Sequence, residues 1–82
     1  MILTVLLFAT LRDRLDGQKS IEIDLPSGAT VLDLKARVAE TVPALKDSMS
    51  TVIVAVDRAF AFDADVVRPG AEVALFPPVS GG

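Results

Sequence analysis

The chain has 82 residues, 51% of them apolar, with 8 basic against 11 acidic side chains and a formal charge of −3. It contains no Cys, His, Trp or Tyr, which excludes disulfides, thiolate nucleophiles, imidazole bases, Ser-His triads and Cys- or His-based metal sites. The length supports one small core, and the basic residues are too scattered to form a nucleic-acid footprint.

Met1–Phe8 is apolar on both faces apart from Thr4, a pattern that predicts a central, covered strand. It is far shorter than the roughly 20 apolar residues of a membrane span and has no cleavage site. The expectation is therefore a cytoplasmic protein that engages no membrane. Leu11 and Leu15, spaced by four, predict a short helix over Ala9–Leu15 that Gly17 stops. Ser20–Leu25 alternates, with Ile21, Ile23 and Leu25 on one face, and predicts a half-buried strand antiparallel to the first. Pro26-Ser27-Gly28 is a turn.

Thr30 followed by Asp33 is a capping-box pattern. Val31, Leu34, Val38 and Val42 then form the apolar stripe of the main helix, which Pro43 ends. Thr51–Val56 is a buried β-branched strand. Phe60-Ala61-Phe62 is a short strand after a turn at Asp57-Arg58, Asp63–Val67 has no clear pattern, and Arg68-Pro69-Gly70 turns into a last strand, Ala71–Phe76. One main helix on one face of a mixed four- to five-stranded sheet, with short extra helical turns, is an α+β arrangement of the β-grasp, ubiquitin-like kind. The first and last strands are expected to be central, parallel neighbours. The expected division is a domain over 1–76 and an extended tail over 77–82.

The tail, Pro77-Pro78-Val79-Ser80-Gly81-Gly82, pairs a stiff lead with a bare tip. Pro77 lacks the amide for further pairing, two prolines favour an extended path, and glycines let the backbone enter a narrow channel. Six extended residues reach roughly 20 Å. The distinctive reactive handle is the Gly82 carboxylate, which an ATP-dependent partner could activate as an acyl-adenylate and a sulfur donor could convert to a thiocarboxylate. Gly-rich ends also occur as frayed termini. Here the tail that carries the dipeptide follows directly on a strand, in a chain with no other chemical equipment.

Elsewhere Phe8 is read as core, and Phe76 either anchors the base of the tail or meets a partner. Asp63 and Asp65 are read as loop charge rather than a metal pair, and Arg12 and Arg14 as a solvated helix face. Ser80 has no base to activate it. A short chain this apolar leaves some apolar surface exposed, and the outer sheet face with the tail is the expected docking surface.

Phe76-Pro77-Pro78-Val79-Ser80-Gly81-Gly82 resembles the C-terminal signature of the sulfur-carrier subunit of molybdopterin synthase, the MoaD-type proteins of the MoaD/ThiS family. Leu7-Phe8-Ala9-Thr10-Leu11-Arg12, Leu25-Pro26-Ser27-Gly28-Ala29-Thr30-Val31 and Val54-Ala55-Val56-Asp57 support the resemblance, which spans essentially the whole chain. Many relatives carry Asn at the position of Asp57. The resemblance implies that an E1-like, MoeB-type enzyme adenylates Gly82 and a sulfur donor protein supplies the thiocarboxylate sulfur. The tail then enters the large, MoaE-type subunit of a heterotetramer and gives its sulfur to a cyclic pyranopterin phosphate to form the dithiolene. This chain would bind no cofactor itself, ATP being used by the activating partner, and the catalytic side chains would lie on the large subunit. The same chemistry could instead serve thiazole or cysteine synthesis, or the chain could be a non-catalytic ubiquitin-like binding module.

Overall fold

Residues 1–78 are described by the structure, a computed structural model. Five strands, β1 (Ile2–Leu7), β2 (Ser20–Asp24), β3 (Ile53–Val56), β4 (Ala59–Ala61) and β5 (Val73–Phe76), form one sheet in the order β2-β1-β5-β3-β4. β1 and β5 run parallel at its centre, and the other pairings are antiparallel. The main helix, α2 (Val31–Thr41), crosses one face, which makes this the β-grasp fold. A four-residue helix, α1 (Thr10–Asp13), follows β1, and 3-10 turns at Pro43–Leu45 and Asp47–Ser50 carry the chain from α2 towards β3.

Side-chain alternation explains the layering. Odd-numbered residues of β1 and β2, Leu3, Val5, Leu7, Ile21 and Ile23, point beneath α2 and are buried against its Val31, Leu34 and Val38. Val73 and Leu75 of β5 join them. The expectation that Met1–Phe8 is covered on both faces is corrected. The alternating partner, Ile2, is 67% exposed, and Thr4 is exposed too. The reason is that the described residues contain one long helix, and a single helix covers a single face of a sheet. Phe8 is corrected with it: following Leu7, it falls on the open face and is half-buried there, outside the core.

The start of α2 is fixed twice. Thr30 Oγ1 accepts from the Asp33 backbone N–H, and the Asp33 carboxylate accepts from the Thr30 N–H at 2.9 Å. The helix leaves further first-turn N–H groups without internal partners. The Val31 and Leu32 N–H groups donate to the carbonyls of Asp65 and Asp63, at 2.9 and 3.1 Å. The patternless segment 63–67 is therefore a strap over the helix N-terminus. It is tied to the chain before α2 by a bridge between Thr30 and Val66 and anchored by the fully buried Val67.

The β3–β4 turn places Asp57 and Arg58 at φ 52° and 68°, as a two-residue hairpin turn of primed type requires. Asp57 holds a left-handed conformation that Asn and Asp tolerate best. Its carboxylate accepts from the Glu72 backbone N–H and from the Arg68 guanidinium, both at 3.0 Å, joining the hairpin to the entrance of β5. First the backbone bond and then Arg68 hold this carboxyl below its ordinary value of 3.8. A lowered folded value means that the stabilisation is fully present above 3.8 and is lost as pH falls through the lower, folded value. Urea midpoints measured down an acid series are expected to fall less steeply in this range for Asp57→Asn than for the wild type; parallel slopes would contradict the assignment.

Candidate functional site

Because β1 and β5 are parallel and in register, with Leu7 opposite Leu75, the residues that follow these partners, Phe8 and Phe76, emerge side by side on the open face. The Phe8 N–H donates to the Leu75 carbonyl at 3.2 Å, and the two rings stack with centroids 4.6 Å apart and planes 13° apart. Such a stack contributes about 0.5–1.5 kcal/mol beyond the area it buries.

The register extends the site across the sheet. Leu6, Ala74, Ala55 and Phe60 lie in one cross-strand row, since Leu6 pairs with Ala74, Ala74 with Ala55 and Ala55 with Phe60. The two alanines have no bulk to fill the row, so they floor a trough between the Phe8–Phe76 stack and Phe60, with Arg58 and Glu72 at its rim. Phe60 is 76% exposed. The trough adjoins a groove formed by Phe8, Ala9, Ile53, Phe60 and Phe76, which Pro77 and Pro78 complete. On their other side the two prolines line a hollow with Thr10, Leu11, Arg14, Asp47, Ser48 and Thr51.

The structure thus brings Phe76, Pro77 and Pro78 together at one end of an apolar face, with Pro77 half-buried and Pro78 exposed. Val79, Ser80, Gly81 and Gly82, the remaining candidates, lie outside the described residues. Asp63 and Asp65 are part of the strap: Asp63 pairs with Lys35 at 2.7 Å, and the Asp65 carboxylate accepts from the Phe62 N–H at 2.7 Å. Among the described residues, no helix is long and apolar enough to cross a membrane.

The reading of Arg12 as part of a solvated helix face is corrected. Arg12 is not a freely solvated side chain of α1. Its Nε donates to the Leu7 carbonyl at 2.7 Å, and its guanidinium lies 5.1 Å from the centre of the Phe8 ring, within range of a cation–π contact. The spacing of four between Phe8 and Arg12 was the available signal, but it carries little weight in so short a helical turn. Ala9 was passed over. It has φ 52° and ψ −126°, a strained conformation for a residue with a Cβ, at the turn from β1 into α1.

The model of the ThiS family matches residues 5–82 of the chain. Relatives named molybdopterin synthase sulfur carrier subunit are 34% identical in Chlamydomonas reinhardtii, over all of both chains, and 33% identical in Arabidopsis thaliana, over 95% of this chain and 80% of that one. The solved structure of SAMP1 from Haloferax volcanii superposes with a TM-score of 0.82 at 30% identity and covers all of both chains.

Exposure separates the trough from the core energetically. Phe60→Ala is expected to alter unfolding free energy by no more than about 0.5 kcal/mol, whereas Leu75→Ala, at a fully buried position, should cost about 2–5 kcal/mol. Denaturant titration of both variants checks this, and a large loss from Phe60→Ala would mean that the aromatic wall is part of the fold rather than a surface.

Proposed function

The chain belongs to the ThiS family, and from that premise we propose that it is the sulfur-carrier subunit of a molybdopterin synthase. The observation that carries the reading is similarity over 95–100% of this chain to sulfur-carrier subunits of that enzyme, at 33–34% identity. The family match also runs through Gly82. The geometry supports it: an apolar, aromatic-walled face leads to Pro77 and Pro78 at the point where the chain leaves the sheet.

In this reading residues 1–76 are the body that partners hold and 77–82 the arm that delivers. An E1-like activating enzyme of the MoeB type docks on the trough and directs a Gly82 carboxylate oxygen onto the α-phosphate of ATP. Pyrophosphate leaves, and the acyl-adenylate has the good leaving group that a carboxylate lacks. Sulfur at the oxidation level of sulfide, supplied through a sulfur donor protein, attacks the carbonyl carbon. AMP departs, leaving the thiocarboxylate. The same face then docks on the large, MoaE-type subunit, and Val79, Ser80, Gly81 and Gly82 carry the sulfur to a cyclic pyranopterin phosphate.

The chain has neither His nor Cys, so proton transfers fall to groups of the large subunit and of the activating enzyme. It holds no cofactor of its own; ATP belongs to the activating partner. We place the reaction in the cytoplasm and the assembly as a heterotetramer with two large subunits at its centre.

Deleting Gly82 separates carrier chemistry from folding. In a reconstitution with activating enzyme, ATP, sulfide, large subunit and pyranopterin, the deletion is expected to leave the unfolding midpoint unchanged and to reduce dithiolene formation to background. Product formation at the wild-type rate would refute the assignment. A thiocarboxylate that forms on the intact chain but yields no dithiolene would move it to another sulfur-transfer pathway.

A further inference from the structure

We propose that Arg12 is a positioning residue that sets the direction in which the sulfur-bearing tail leaves the sheet, an inference that rests on the sulfur-carrier reading above. Three planar groups connect α1 to the base of the tail. The Arg12 guanidinium lies over Phe8, Phe8 stacks on Phe76, and Phe76 precedes Pro77 and Pro78. The bond from Arg12 Nε to the Leu7 carbonyl fixes the guanidinium to the end of β1 and orients its plane.

The chain is bent to make this contact. The turn at Ala9 is closed by bonds from the Leu11 N–H to the Phe8 carbonyl and from the Arg12 N–H to the Ala9 carbonyl. It holds Ala9 in a conformation that a residue with a Cβ adopts only when its surroundings impose it. Leu11, 2% exposed, anchors α1 to the core from the same turn. Burial of Leu11 accounts for holding the helix down; the placement of Arg12 over the ring is additional. Beyond Phe76, Pro77 has a fixed φ and two successive prolines are stiff. The orientation of the Phe76 end is therefore passed on to Pro77 and Pro78 rather than dissipated at the first bond.

A positioning role makes its own demands. Lys cannot replace Arg12, because an ammonium has neither the planar face nor the Nε that reaches Leu7. The loss should appear in the transfer step rather than in partner affinity, since misplacing a reacting group slows the step that depends on its position.

The test uses the full chain carrying a Gly82 thiocarboxylate, followed in single-turnover sulfur transfer to pyranopterin at saturating large subunit. Arg12→Ala is expected to slow transfer roughly tenfold to a hundredfold while the Kd for the large subunit stays within about threefold, and Arg12→Lys is expected not to restore the rate. Wild-type transfer by Arg12→Ala, rescue by Arg12→Lys, or a loss confined to Kd would each overturn the proposal. The last two outcomes would make Arg12 a charge that touches the partner.

A second readout does not need the reaction. In NMR spectra of the free, full-length protein, both variants should shift the ring resonances of Phe76 and the Pro77 δ-protons as well as those of Phe8. Shifts confined to Phe8 would overturn the proposal. If the wild-type thiocarboxylate itself transferred no sulfur to pyranopterin, the molybdopterin assignment would fall, and the NMR comparison would still decide whether Arg12 controls the base of the tail.

Discussion

The parallel, in-register pairing of β1 with β5 is the constraint on which the rest of the molecule depends. It brings the first and last strands together at the centre of the sheet. It sends odd-numbered residues of both beneath the single main helix. At the strand ends it sets Phe8 beside Phe76, so that the last described residues, Pro77 and Pro78, depart from an aromatic stack rather than from a loop. Shifting this register by one residue would turn the core face of one of the two strands outward, and the site would go with it.

A sheet covered on one side has an unsatisfied second side, and here that side is apolar where the tail begins. The core is small, so the chain has little stability to spare, yet it keeps Phe60 exposed beside the Phe8–Phe76 stack. Exposed apolar patches of this kind mark interaction surfaces. Under the proposed function this becomes a division of labour: the folded part supplies recognition, the tail a reactive group, and the partners the catalytic side chains and ATP. In that proposal, use of one face by successive partners would make their binding mutually exclusive and keep activation and delivery of sulfur in order.

Much of the fold was legible because it is written locally. Thr30 and Asp33 announce the start of α2, and the alternation of Ile21, Ile23 and Leu25 fixes which face of β2 is buried. The strap 63–67 was not legible, because its role is to offer backbone carbonyls to α2, and carbonyls are the same in every residue. Phe8 was misread for a related reason. A two-sided apolar strand looks alike whether its second face is covered by its own chain or left for another, and composition does not record who supplies the cover. Arg12 was read as solvated because its partners are a ring and a carbonyl near in sequence but reached only through the strained turn at Ala9. Of the candidate site, Phe76, Pro77 and Pro78 were read from the sequence, while the trough wall at Phe60 needed the strand register and the seat of Arg12 the turn at Ala9.

The account turns on sulfur residing at the carbonyl carbon of Gly82. Intact-mass spectrometry of the protein isolated under non-reducing conditions from its own cells measures this directly. A population heavier than the unmodified chain by the difference between one sulfur and one oxygen, and mapping to the Gly82-containing peptide, is the predicted result. A chain found uniformly at its unmodified mass while the cells are making molybdopterin, or one extended beyond Gly82 in its working form, would contradict the account.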